Sequence, residues 1–185
     1  MIDVKELLQK LPGSWSELTL RQYQKLAYME VSDGPLDELA SMVDAAENIV
    51  KVASTLTGID LEELEAGLPM KELSLVGQKL AFLSQDPKPM KKSPITWKTV
   101  ENASLSDFIL FNALKADPFS VIKDLHKVIK AFAVEQMTED QVLDLPMDVV
   151  KTGFFLLRMQ LINYTKSSIR SNKVKLKQQQ RQEKG

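Results

Sequence analysis

Apolar residues along this chain recur mostly at intervals of three and four, the spacing of a helix with one buried face. The longest such run lies between residues 36 and 57, and its apolar positions are Leu39, Met42, Val43, Ala46, Ile49, Val50, Ala53 and Leu56. Seven Gly and eight Pro are few for 185 residues, so the segments between turns are long. The pattern predicts a mainly α fold, a multi-helix domain.

Capping signals place the helices of the first half. Thr19 and Gln22 have the spacing of a capping box and predict a helix to about Glu30, followed by a break at 33–35. Gly58 suits the left-handed cap that ends the long helix. Asp60 is expected to cap a short helix that ends near residue 67, and Pro69 to open the next one.

The second half shows the same order of signals. Helices are predicted from Leu105-Ser106 to about residue 115, from Asp117-Pro118, from Thr138 to about residue 143, and from Pro146 onward. Leu-Pro-Met occurs at 68–70 and again 77 residues later, each time between a short capped helix and an apolar one. Either the chain contains two similar halves from an internal duplication, or common helix-capping sequences coincide.

A connector rich in proline and lysine, residues 85–93, separates the halves. The β-branched segment 95–100 that follows it predicts a short strand or hairpin arm, the one β element expected. The predicted organisation is an N-terminal helical half (1–84), a connector (85–101), a C-terminal helical half (102–165) and a basic tail (166–185), either helical or disordered.

Composition excludes several classes of protein. The chain has no cysteine, so it has neither disulfides nor thiolate metal sites. The first 15 residues carry acidic side chains and no long apolar run, unlike a signal peptide, and no stretch reaches the ~20 apolar residues that cross a bilayer. We therefore expect a cytoplasmic protein without a membrane segment.

The net charge of −1 conceals an asymmetry. Residues 166–185 contain seven basic side chains and one acidic, whereas the rest of the chain contains 17 basic and 24 acidic. The tail is either a solvated helix end or a contact for a phosphate backbone or an acidic protein surface. Its candidate contact residues are Arg170, Lys173, Lys175 and Lys177.

Candidate catalytic chemistry is sparse. His126 is the single histidine, and neither general acid–base catalysis nor a zinc site is served by one histidine without cysteine. The acidic groups near Asp60 and Glu139 fall in first turns of predicted helices, where carboxylates are favoured anyway. No glycine-rich phosphate loop occurs. The sequence predicts no catalytic, metal or cofactor-binding residues, and we expect a protein that is not an enzyme.

The helix after Pro146 is apolar over most of its circumference, because Phe154 and Phe155 point about 100° apart and Leu156 follows. It is either central to the fold or packed on a second chain. The candidate partner-binding residues are Phe154, Phe155, Met159 and Ile162. The implied partner is a protein, a homo-oligomer being a further option, and nucleic acid is disfavoured by the acidic body.

Three segments resemble a known family. They are residues 14–23 (SWSELTLRQY), Leu56-Thr57-Gly58-Ile59 with Glu63-Leu64, and Leu145-Pro146-Met147 followed by 153–156 (GFFL). All three are similar to segments of small tail-assembly proteins of tailed bacteriophages and prophages of Bacteroides-type hosts. The resemblance implies a tail-assembly chaperone or baseplate-hub assembly factor. Such proteins hold another phage protein, typically the tape measure or a hub component, ready for assembly, and have no catalytic residues.

Two other functions remain open at this stage. The basic tail suggests a nucleic-acid-binding regulator, although the acidic body opposes it and the tail lacks the interleaved aromatic residues of single-strand binders. A structural component of the virion is the third possibility.

Overall fold

A computed structural model describes residues 2–29, 38–113 and 118–182, and in these ranges the chain forms α-helices and no β-strand. The α-helices of these ranges are α1 (Val4–Lys10), α2 (Leu20–Ala27), α3 (Glu38–Thr57), α4 (Leu61–Gly67), α5 (Met70–Leu80), α6 (Leu105–Ala113), α7 (Pro118–Phe132), α8 (Glu139–Leu143) and α9 (Met147–Gln182). The mainly α fold class is confirmed. The predicted break at 33–35 lies outside the described residues, and so do the predicted helix starts at Leu36 and Asp117 and the predicted helix end at Lys115.

The predicted caps form as expected where they are described. Thr19 and Gln22 make the reciprocal capping box of α2, and Thr138 makes the same arrangement with Gln141 at α8. The Asp60 carboxylate accepts two backbone N–H groups at the start of α4. Gly58 has a φ of +73°, the left-handed conformation that ends α3. Each cap is local, which is why the sequence could predict it.

The predicted strand at residues 95–100 is reduced to one antiparallel bridge between Trp97 and Ala133. Lys98 N–H donates to the Phe132 carbonyl at 2.7 Å, and Val134 N–H donates to the Thr96 carbonyl at 2.9 Å. The segment facing it is the short extended stretch that follows α7, so the ladder ends after two hydrogen bonds. Neither the short strand nor the hairpin arm forms in the described residues, where the segment makes only this isolated bridge.

A second bridge, which the sequence pattern did not predict, joins the segments that precede α2 and α9. Leu20 N–H donates to the Leu145 carbonyl at 2.9 Å, and Met147 N–H donates to the Leu18 carbonyl at 2.8 Å. The bridge itself pairs Thr19 with Pro146, a residue without an N–H, so the neighbouring residues supply both donors.

Both predicted halves contribute to the larger hydrophobic core. Its buried residues are Leu7, Leu11, Leu18, Leu20, Val50, Ala53, Leu56, Leu64, Val76, Leu80, Leu125, Ile129, Val142, Met147 and Val150. A smaller cluster forms between α6, α7 and α9, around Phe111, Phe132 and Leu157. The halves are therefore not independent in packing, since the larger core is continuous across the connector. The backbone of α9 also continues through the predicted boundary at residue 165.

Polar contacts from α2 reinforce the junction between the halves. Arg21 lies 2.8 Å from Asp140 and 3.1 Å from Asp144, both on or just after α8. These carboxylates raise the pKa of the guanidinium by accepting its hydrogen bonds. One helix from the first half is thus paired with one from the second.

The connector is fixed to the helical body at three points. The Trp15 indole N–H donates to the Gln85 carbonyl at 3.0 Å, and at the other end Lys98 N–H donates to the Phe132 carbonyl at 2.7 Å. Between them, Met90 N–H donates to the hydroxyl of Thr152, a buried residue of α9, at 2.8 Å. The segment predicted as a linker is therefore held at both ends and in the middle.

Candidate partner-binding surface

Helix α9 has one buried side and one exposed side where it crosses the body. Val150, Leu157 and Leu161 are buried, while Phe155 and Met159 are 46% and 43% exposed. At about 100° per residue, positions 155 and 159 fall roughly opposite those buried residues. Large apolar side chains are thus left in solvent on the outer side of a helix whose inner side is in the core.

The structure separates the four predicted partner-binding residues. Phe155 and Met159 are exposed and Ile162 is half-buried. Their spacing of four and three residues places all three on the outer side of the helix. The Phe154 ring instead lies 5.6 Å from the Phe111 ring, centroid to centroid, and packs against both core clusters. We therefore leave Phe154 out of the candidate surface, because its side chain is occupied within the fold.

Sequence reasoning missed other exposed apolar residues. On α9, Leu156 is exposed beside the predicted set and Tyr164 is exposed past the last buried residue, Leu161; on α6, Leu105 and Ile109 are exposed one turn apart. Position 156 could have been found from its place on the helix, since it follows Phe155 by about 100° on the outer half. The α6 pair carries no such signal, because the six apolar residues of this nine-residue helix are not confined to one side of it.

A groove of about 620 Å³ lies between α2 and the start of the connector. Its described lining is mostly apolar and comprises Trp15, Tyr23, Leu26, Ala27, Met29, Val52, Leu83, Ser84, Gln85, Asp86, Pro87, Ile122 and Lys151. Trp15 packs edge-to-face on Tyr23 and on Phe82, with ring centroids 6.0 Å and 5.4 Å away. Trp15 and Tyr23 pack against the larger core on one side and form part of the groove wall on the other.

Charge within this groove is limited. Burial, followed by the Asp86 carboxylate, raises the pKa of the Tyr23 hydroxyl above its usual value. The hydroxyl therefore stays protonated and neutral, which suits hydrogen bonding rather than attack on a substrate. Lys151 and Asp86 line the rim with opposite charges. The groove has the apolar walls and few polar groups of a binding site.

His126 lies at the boundary between α7, α2 and α8, with its side chain 14% exposed. Its Nε2 is 3.5 Å from the Glu139 carboxylate, and its Nδ1 is 3.3 Å from the Gln24 amide nitrogen. Gln24 itself donates to the Ile122 carbonyl at 2.8 Å. The ring is thus part of the contact between the halves, with a carboxylate from the first turn of α8 and an amide from α2 as its polar neighbours.

The predicted contacts of the basic tail fall on the last turns of α9. The backbone of Arg170, Lys173, Lys175 and Lys177 is helical, and their side chains lie outside the described residues. Within the part of the chain that the structure describes, no group of three or more His, Cys, Asp or Glu could hold a metal ion. Nor does any helix in the described ranges have the length and apolar character needed to cross a membrane.

Comparison of the chain with protein-family models, curated proteins and solved structures gives no match. Three features of the chain therefore bear on its function: the outer side of α9, the groove beside α2 and the residues that resemble tail-assembly proteins. Of these, the outer side of α9 has the largest exposed side chains.

Proposed function

We propose that the protein is a non-enzymatic binding factor in the assembly of a phage tail or baseplate, a chaperone or adaptor for another tail protein. The observation that carries the proposal is the exposure of Phe155 and Met159 on a helix whose opposite side is buried at Val150, Leu157 and Leu161. Solvent-exposed apolar side chains that adjoin one another are typical of protein interaction sites.

Two further observations support a protein as the ligand. The groove beside α2 has the apolar lining and open shape that receive a partner helix. The segments 14–23 and 145–156 carry the resemblance to tail-assembly proteins, and both belong to the structural junction at which α2 meets the start of α9. The resemblance supplies the biological setting, and the exposed apolar residues supply the binding chemistry.

The direct test is co-expression of the full chain with the tape-measure and baseplate-hub proteins encoded in the same genome. We expect one of them to co-purify with the chain and to remain bound at high salt, because apolar contacts are not screened. The control is a Phe155→Ser, Met159→Ser double variant, which should retain the helical circular dichroism spectrum and lose the partner. A chain that stays monomeric and captures none of these proteins would contradict the proposal.

The basic tail favours one alternative, a nucleic-acid-binding regulator. That function requires binding to duplex or single-stranded DNA that weakens steeply as salt rises, since each neutralised phosphate releases a counterion. Truncation after Lys166 removes six of the seven basic residues of the tail and should abolish such binding. Binding that survives the truncation would place the nucleic-acid site elsewhere.

A structural role in the virion is separated from a chaperone role by the composition of finished particles. An assembly chaperone is released before completion and should be absent from purified virions, whereas a structural component is present in fixed copy number. Mass spectrometry of purified particles distinguishes the two.

A further inference from the structure

The outer side of α9 continues as a regular pattern beyond the body of the protein. Phe155, Ile162, Ile169 and Leu176 are spaced seven apart, and the positions four residues after each are Met159, Lys166, Lys173 and Gln180. The helix backbone is unbroken from Met147 to Gln182, so positions with this 4–3 spacing share one side of it. We call these eight positions the α9 seam.

The seam begins on described, exposed residues and runs away from the core. Phe155 and Met159 are solvent-exposed and Lys166 is exposed, while Leu161 is the last buried residue recorded on α9. From position 155 to the helix end at 182 the seam covers about 40 Å, at 1.5 Å per residue. A helix of this length with a narrow apolar stripe is the form that pairs with a second helix.

We propose that the α9 seam binds an acidic amphipathic helix of another protein as a two-helix coiled coil. The charge pattern selects this occupant. Every seventh residue is apolar, but Lys166 and Lys173 occupy the alternate core positions, and the tail from residue 166 carries seven basic residues against one acidic. A partner helix with apolar residues on its own seam and carboxylates beside it would satisfy both features.

A second copy of the chain fits this surface less well. In a parallel pair, Lys166 would face Lys166 and Lys173 would face Lys173. In an antiparallel pair, each basic tail would lie against residues 155–171 of the other copy, which contain three basic residues and no acidic one. Like charges at the core positions of a coiled coil disfavour that pairing and direct the helix to a different partner.

A lipid surface and a nucleic acid are also less suited to the seam. A helix that lies in a membrane interface needs a wide apolar face with bulky side chains, and beyond Tyr164 the tail offers few apolar residues on a narrow stripe. Nucleic acid would be attracted by the lysines but gains nothing from the apolar positions between them, and the rest of the chain is acidic.

This inference rests on the proposed protein-binding function and specifies the class of partner. The test uses the full chain and three synthetic peptides of about four heptads. The first has leucine at the core positions and glutamate at the flanking ones; the second has lysine in place of glutamate. The third has the composition of the first with its heptad spacing scrambled. Fluorescence anisotropy measures binding of each.

We expect the acidic peptide to bind at least about tenfold more tightly than the scrambled one, and the basic peptide not to bind. Met159→Ser should weaken binding by about tenfold, because it removes a core contact of the coiled coil. Tyr164→Ser, which removes an exposed side chain about 180° around the helix from Phe155, is the matched control and should leave binding unchanged. Equal binding of the acidic and scrambled peptides would overturn the proposal.

Charge reversal provides the second arm. The Lys166→Glu, Lys173→Glu double variant should lose the acidic peptide and gain the basic one. Lys71→Glu with Lys91→Glu changes net charge equally at exposed sites of the body and should bind as the wild type does. If both double variants respond alike, the attraction is to total charge and the seam is not the site.

Other occupants appear as distinct results. The proposal would be overturned if the acidic peptide fails to bind and another interaction of the chain is abolished by Met159→Ser. That interaction could be dimerisation in sedimentation equilibrium, binding to phosphatidylserine vesicles or binding to duplex DNA, and it would identify the occupant. If a tail protein co-purifies equally with wild type and with the Lys166→Glu, Lys173→Glu variant, the seam proposal fails and the proposed function stands.

Discussion

The two Leu-Pro-Met tripeptides have the same sequence and the same position before a helix, yet opposite surroundings. Met147, at the start of α9, is fully buried, whereas Met70, at the start of α5, is 77% exposed. The difference follows from the bridge at Thr19 and Pro146, which holds Leu145 against Leu20 and Met147 against Leu18. Local sequence sets the start of each helix, and the long-range contact decides which side chain is buried.

Within the described residues, no corresponding bridge joins the segments that precede α5 and α6. By the order of elements, Leu105 at the start of α6 corresponds to Leu20 at the start of α2. Leu20 is fully buried in the bridge, while Leu105 is exposed, as is Met70. If the chain arose by duplication, the junction between α2 and the start of α9 has been retained, and the equivalent junction between α6 and the start of α5 has been lost.

The sharpest test replaces each methionine with alanine. Met147→Ala should lower the free energy of unfolding by about 2–5 kcal/mol, since it leaves a cavity in the core. Met70→Ala should change it by less than about 0.5 kcal/mol, because that side chain is mostly in solvent. Urea denaturation followed by circular dichroism gives both values. Similar losses in the two variants would mean that the tripeptides are equivalent after all.

The next largest difference is expected at two glycines, one in each of the helices that follow the tripeptides. A methyl group at Gly153 of α9 would collide with the Trp97 ring, which is held by its hydrogen bond to Ser93. Gly153→Ala should therefore destabilise the protein by about 1–3 kcal/mol despite its better helix propensity.

Gly77 of α5 is the matched site. An alanine methyl there would lie 3.1 Å from the Ile49 Cδ1, the end of a side chain that is only half-buried and can move. Gly77→Ala should stabilise the protein by about 0.5 kcal/mol through helix propensity. A Trp97→Leu background should reduce the penalty of Gly153→Ala; an unchanged penalty would show that the ring is not its cause.

The helix caps offer a smaller contrast. Thr19→Ala removes the capping box of α2 beside the bridge and should cost about 1–2 kcal/mol. Ser104 and Asp107 make the reciprocal pair at α6, with N···O distances of 3.1 and 3.2 Å, but this pair is exposed. Ser104→Ala should cost about 0.5–1 kcal/mol. Thermal or urea unfolding ranks them, and a larger loss at Ser104 would contradict the asymmetry.

The smallest effect concerns the other bridge, between Trp97 and Ala133. The Glu135 carboxylate accepts the Thr96 backbone N–H at 3.0 Å, which lowers the pKa of Glu135 below its usual value. A pKa lower in the folded state stabilises folding above the unfolded pKa and loses that contribution as pH falls through the folded pKa. The stability difference between wild type and Glu135→Gln should therefore shrink on acidification. An NMR titration that gives Glu135 an ordinary or raised pKa would contradict this.

Features that depend on nearby residues could be read from the sequence. The caps at Thr19, Asp60 and Thr138 each need only a side chain and an amide two or three residues away, and Gly58 needs only its own backbone freedom. The helices and the mainly α class followed from these caps and from the apolar spacing.

Features that depend on distant residues could not be read in the same way. Nothing near Met70 and Met147 distinguishes the exposed residue from the buried one. The core residues of both halves also appear as apolar stripes without any indication that they share one interior. For the candidate surface, the sequence pointed to Phe155, Met159 and Ile162 but did not show that Phe154 faces inward. Which of two adjacent aromatic residues is buried can be told only when the buried side of the helix is known.

The Thr19–Pro146 bridge also governs when the molecule can complete its fold. It joins segments 127 residues apart in the chain, so it forms only after a long loop has closed. During synthesis, Leu18 and Leu20 leave the ribosome long before Leu145 and Met147, and until then their apolar side chains lack these contacts. A product that stops before Pro146 cannot close this junction and would expose those leucines to chaperones and proteases. The start of α9 is therefore needed to complete the core at Leu18 and Leu20, in addition to any role that the rest of the helix has in binding.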